Sequence, residues 1–164
     1  MSTGVSGMIE CGPGARLRGP DDDDSRWQGA IDLFLLNNGN AYDALACLFG
    51  VRDSYGFEPL AEGRGLPQDT SDAVRADFDA DGGPRDVHGT TWIAWAELAA
   101  ADWQATDRSG TWSRESVAGD GPLWYPEPGV GRGGRNALGA GRSVMRTLSG
   151  LHGPENVRLV VWFH

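Results

Sequence analysis

Lysine is absent from this chain, and all 14 basic residues are arginine. A Schiff-base lysine is therefore impossible, which removes pyridoxal phosphate enzymes and class I aldolase chemistry. A Walker A lysine and the strand lysine of a kinase are excluded as well. Histidine is scarce: His88, His152 and His164 are the whole supply, and none is paired at a His-x-His or His-x₃-His spacing. Cys11 and Cys47 form no Cys-x₂-Cys arrangement, so neither a structural zinc nor any other metal is expected. Gly63-Arg-Gly lacks the strand, helix and third glycine of a dinucleotide fingerprint, and no cofactor is expected.

Long apolar runs are missing too. Ile31 to Leu36 falls far short of the roughly 20 residues of a membrane helix. Met-Ser-Thr-Gly-Val-Ser-Gly-Met has no basic region leading into an apolar one, so the expected location is cytoplasmic, with free thiols. Positive charge is in deficit: 23 acidic residues against 14 arginines give a net charge of -9, which argues against nonspecific nucleic-acid binding. The same arginine-only, Ala/Gly/Asp-rich composition is what high-GC coding yields, so bulk charge alone names no function.

What is present fits one domain over residues 1–164, long enough for a core without staples. Residues 1–25 read as an exposed Gly/Pro-rich segment ending in Asp21 to Asp24. Residues 26–36 read as a strand, with Trp27, Ile31, Leu33 and Leu35 on one parity. Asn37-Asn38-Gly39 marks a turn. A helix over 40–49 ends at Gly50, and a short exposed helix over 71–78 is capped by Thr70 or Ser71. Further helices are predicted over 94–103 and 136–151. Val157 to Phe163 is a strand with Val157, Leu159, Val161 and Phe163 on one parity. Residues 52–68 and 84–91 read as loops, and 105–134 as a long loop, a lid or a binding segment. These elements predict a two-layer α+β domain: a mainly antiparallel sheet holding 26–36 and 156–163, covered by three main helices.

The polar stretch Pro84 to Leu98 carries the candidate chemistry. Asp86 and His88 stand two residues apart, beside Gly89, Thr90, Thr91 and Trp92. His88 suits a general acid or base oriented by Asp86, or equally a structural hydrogen-bonding histidine. Glu97 is a second acid/base candidate, or a helix-dipole partner early in its helix. Arg64 and Arg52 are candidates to bind an anionic group, although Arg64 could instead tie its own loop. Gly131-Arg-Gly-Gly-Arg135 offers either an anion-binding helix start or a hinge. Trp27 and Trp162 read as core or sheet-face residues. Tyr42, Trp92, Trp112 and Trp124 are candidates for a pocket wall, the last two because loop tryptophans are costly without a partner.

Asn40-Ala-Tyr42-Asp-Ala-Leu-Ala-Cys-Leu-Phe-Gly-Val-Arg52, Arg64-Gly-Leu-Pro67, Asp86-Val-His88, Thr91-Trp92, Glu97-Leu98 and the ending Val157 to Phe163 together resemble a family of small actinobacterial and bacteriophage proteins. The resemblance covers residues 40–103 and 155–164 and implies a compact α+β domain with no established activity. Relatives open with Met-Gly-Cys-Asp-Ile-His and carry His-Ser-His where this chain has His88-Gly-Thr90. If those histidines hold a metal in relatives, this chain lacks most of the set.

Two functions of different class follow. One is a cofactor-free acid–base enzyme acting on a small molecule with an anionic group. It would use His88, Asp86 and Glu97, with Arg52 or Arg64 and the tryptophans shaping the pocket, and would need no nucleic acid or membrane. The other is a non-catalytic acidic binding protein of the phage inhibitor type, presenting loop tryptophans to a basic protein partner.

Overall fold

A computed structural model describes residues 4–12, 27–36, 42–118 and 137–164. Its centre is a four-stranded antiparallel sheet in the order β2-β1-β4-β3. The strands are β1 (Val5–Cys11), β2 (Gln28–Asp32), β3 (His88–Ala94) and β4 (Val157–Phe163). Around it lie α1 (Leu33–Leu36), α2 (Tyr42–Phe49), α3 (Asp72–Ala80), α4 (Trp95–Ala100), α5 (Arg114–Ala118) and α6 (Ala137–His152), with 3-10 turns at Gly83–Arg85 and Pro154–Asn156. The α+β class holds, and the predicted strands at both ends of the chain share the one sheet. Among the described residues no helix is long and apolar enough to cross a membrane.

Period-2 alternation explains β4. Val157, Leu159, Val161 and Phe163 enter a core with Ile9, Cys11 and Ile93, while Val160 and Trp162 join Met8 on the other face. The first face is closed by α2, whose residues Ala44 through Phe49 are all buried, and by α6 through Leu138 and Met145. Gly50 ends α2 as expected, with φ 73° and its N–H on the Ala46 carbonyl.

Six expectations need correction. Residues 5–11 are not loop but β1, the strand that joins β2 to β4. Its signal was hidden because Gly7 takes a core-facing position and a charged Glu10 is fully buried on the other face. The strand expected over 26–36 is cut at Asp32, whose Oδ1 accepts from the Phe34 N–H and starts α1. The helix near 71–78 begins after Ser71, whose Oγ accepts from the Val74 N–H (3.2 Å), but it is not an exposed helix. Val74 and Phe78 are buried against Met8, Val160 and Trp162 on the second sheet face. Residues 88–91, expected as the end of a loop, open the edge strand β3, and α4 stops at Ala100, short of 103. Finally, the described part of 105–134 is built structure: an isolated bridge pairs Thr106 with Ser113, and α5 follows. The turn at 37–39, the Asp21–Asp24 run, the segment 131–135 and Trp124 lie outside the described residues.

Candidate binding surface and the residues around it

His88 opens β3 opposite Phe163, and the two rings lie 6.2 Å apart. The imidazole is exposed. Gly89 follows with φ 60°; a Cβ there would meet Phe163 Cδ2 at 3.0 Å and collide with Val51, so only glycine fits. Val51 thus packs on the head of β3, and the next residue, Arg52, adopts a left-handed conformation with φ 51°. Asp86 ends the 3-10 turn, and its side chain lies over the Cα of Gly82. Among the described residues no hydrogen bond joins Asp86 to His88.

Arg64 and Glu97 are brought together, but with each other. Arg64 reaches both carboxylate oxygens of Glu97, at 2.9 and 2.7 Å, and its guanidinium sits 5.0 Å from the Trp92 ring centre. Glu97 Oε2 also accepts from the Ala94 N–H at 3.1 Å, the reciprocal contact of a helix start. The Arg64 hydrogen bond, opposed by burial, holds the Glu97 carboxyl below its ordinary range. The segment that carries Arg64 is tied to the edge of the sheet. The Gly65 N–H donates to the Thr90 carbonyl (2.9 Å), and the Thr91 hydroxyl donates to the Ala61 carbonyl (2.5 Å). Glu97 thus closes the start of α4, and Arg64 pairs with it while also reaching the Trp92 carbonyl at 3.3 Å.

The sequence reading missed a buried charged row on the second sheet face. Glu10 and Arg158 are register partners in β1 and β4, and Arg158 Nε lies 2.6 Å from Glu10 Oε2. Glu10 Oε1 accepts from the Thr70 hydroxyl (2.9 Å) and the Ser71 N–H (2.7 Å), which anchors the start of α3. Arg158 also donates to Asp69 (3.0 Å) and stacks 3.8 Å from Trp27 and 5.7 Å from Trp92. Burial pushes the Asp69 carboxyl up, but hydrogen bonds from Arg158 and Trp27 and the Arg158 charge outweigh it, leaving it below the usual range. Arg158 Nη2 is buried without a hydrogen-bond partner. A lone arginine inside a seven-residue apolar strand was the signal, because a buried cation requires a buried anion.

Trp112 belongs to a third feature, a pair of loops each closed by its own aspartate. In the first, the two oxygens of Asp53 accept from the Tyr55 N–H (2.9 Å) and the Phe57 N–H (2.7 Å). In the second, Asp107 accepts from the Ser109 hydroxyl (2.7 Å), the Thr111 N–H (2.9 Å) and the Trp112 N–H (3.1 Å). Burial works to raise the Asp107 carboxyl, but these donors together with the Gly110 N–H hold it below its ordinary range. The loops are joined where the Arg108 N–H donates to the Tyr55 carbonyl (3.2 Å). Gly56 permits that approach, with φ 75° and Arg108 Nε 3.2 Å from where a Cβ would stand. The buried Arg114 donates to the carbonyls of Glu58 (2.9 Å), just after the first loop, and of Asp102 (2.5 Å), ahead of the second. On top, Trp112 meets Tyr55 edge to face, with centroids 6.4 Å apart, and remains 40% exposed.

Of the other candidates, the Tyr42 and Trp124 side chains lie outside the described residues. Among the described residues no three of His, Cys, Asp and Glu stand close enough to hold a metal ion. Comparison with known protein families, curated proteins and solved structures found no match.

Proposed function

We propose that this protein is a non-catalytic binding module, of the inhibitor type, acting in the cytoplasm on a basic protein partner. The observation that carries this reading is Trp112, two-fifths exposed on a pair of loops fixed by Asp53, Asp107 and Arg114. A tryptophan held this way loses little freedom on binding, and Trp, Tyr and Arg are the residues that dominate interface energetics. Arg108 and Tyr55 supply the other two types beside it. Charge supports a basic partner. The net charge is -9, and several arginines are spent internally: Arg64 on Glu97, Arg142 on Glu115, and Arg158 on Glu10 and Asp69. The excess acidic charge would steer a cationic surface inward and make association salt-dependent. The acid–base reading is weaker because Asp86 does not orient His88 and Arg64 is committed to Glu97.

The test is affinity capture with wild type, Trp112→Ala and His88→Ala, each checked by melting temperature. Wild type and His88→Ala should retain the same basic partner. Trp112→Ala should lose about 2 kcal/mol or more of binding, roughly thirty-fold, with little change in stability. A partner held equally by Trp112→Ala, or turnover lost in His88→Ala, would defeat the proposal.

A further inference from the structure

The helix that covers the second sheet face is held unevenly. At its start Glu10 accepts from the Thr70 hydroxyl and the Ser71 N–H, and Ser71 caps α3. Its middle packs through Val74 and Phe78 on Met8, Val160 and Trp162, with the Phe78 and Trp162 rings edge to face at 5.4 Å. At its end Asp81 accepts from the Trp162 indole N–H at 2.7 Å. That end also gathers negative charge. Asp77, Asp79 and Asp81 stand in or beside the last turn of α3, which has no basic residue to meet the negative end of the helix dipole. Asp77 and Asp81 are four residues apart, the spacing at which like charges on a helix repel. Across the interface Asp32 is the register partner of Met8, and so lies on the face that α3 covers. Asp77 is half-buried, and among the described residues no hydrogen bond or ion pair reaches its carboxylate.

We propose that Asp77 is a proton-operated latch: with its carboxyl neutral α3 closes onto the sheet, and with it ionised the C-terminal half of α3 opens more readily and uncovers Trp162. Among the described residues, the elements packed against α3 bring Asp32 from β2, Glu10 from β1, Arg158 from β4, and Arg85 with Asp86 from the turn that follows. Asp69 precedes the helix, and α3 itself adds Asp72, Arg75 and Asp79. Glu10, Asp69 and Arg158 are spent on one another. Burial first, then the charges of Asp32 and Asp81, push the Asp77 carboxyl above its ordinary range. An unfolded aspartate loses its proton near about 3.9, and the folded Asp77 loses it at a higher pH. The stabilisation is therefore complete below the unfolded value and is lost as pH rises through the folded one. This sign is opposite to that of Asp69, which donors hold low. The latch is independent of the binding role of Trp112.

Amide exchange over residues 72–81, corrected for the intrinsic pH dependence of exchange, reads the helix, with α2 as internal reference. From about pH 7.5 to about pH 4.5 the protection of α3 should rise roughly two- to ten-fold more than that of α2, because carboxylates held low stay charged over that range. Asp77→Asn should abolish the rise and show, at about pH 7.5, the protection that wild type reaches in acid. Asp32→Asn removes a facing charge but keeps an oxygen for the Phe34 N–H, and should reduce the rise. Asp79→Asn, at an exposed position of the same turn, relieves only the helix dipole and should leave the rise intact. Wild-type protection of α3 that falls or stays level toward acid would overturn the proposal. So would a rise that survives Asp77→Asn, that Asp32→Asn leaves whole, or that Asp79→Asn abolishes.

Discussion

On one face of the sheet Val157, Leu159, Val161 and Phe163 meet apolar partners from α2, α4 and α6. On the other, Arg158 lies in the same strand between indoles and carboxylates, and only Val160 and Trp162 meet an apolar cover, from α3. The apolar face is held by area removed from water and tolerates loose geometry. The charged face is held by a few specific contacts, each costly to leave unmade. Two sides of one strand thus depend on different physics.

The largest expected effect separates them. Arg158→Ala leaves Glu10 buried and uncompensated and should cost about 3–5 kcal/mol in urea unfolding. Replacing both partners, Glu10→Leu with Arg158→Met, should recover most of that loss, since a buried pair is often no better than well-packed hydrophobes. A double variant as unstable as the single one would mean that the row does more than balance charge, for instance by anchoring α3 through Thr70 and Ser71. On the apolar face the comparison is a cavity. Leu45→Ala, at 1% exposure, should cost about 2–5 kcal/mol, and no single compensating substitution elsewhere should restore it.

A smaller effect depends on pH. Asp107 has a depressed folded value, so its stabilising contribution is complete above the unfolded aspartate value of about 3.9 and fades as pH falls through the folded one. Asp107→Asn should therefore melt below wild type near neutrality, and the gap should close in strong acid. A gap constant from neutral to about pH 2 would mean that shape, and not charge, closes the loop. The smallest expected effect is at His88. It is exposed at the strand head, so His88→Ala should change stability by no more than about 0.5 kcal/mol. A larger loss would place the ring among the supports of Phe163.

How legible the molecule was in sequence follows the same division. Elements whose apolar residues keep one period could be read directly: β4, α2 and α6 fall within a residue or two of their predicted bounds. β1 could not, because Glu10 and Gly7 break the alternation for reasons that lie in distant Arg158 and in the close approach of β4. β3 was obscured by its position in a polar stretch, where Thr91 is buried through a hydrogen bond to Ala61. The site was legible in part. Trp112 stands out in the sequence as costly in a loop, but Asp53, Asp107 and Arg114, which fix its surroundings, act mainly through backbone atoms and leave no pattern in residue type. Arg64 and Glu97 both stand out in the sequence, but their mutual pairing across 33 positions does not.

The two cysteines give the core a chemical clock. Cys47 is wholly enclosed in α2 and its thiol is pushed up to about 12, by burial first and then by the charge of Asp53. Cys11, in β1, is raised by burial and by Glu10. An alkylating reagent attacks the thiolate, so neither sulfur can react until its surroundings open. One thiol reports from the sheet and the other from the helix that covers it. Equal alkylation rates would mean that sheet and cover part in a single event, and unequal rates would show which lets go first.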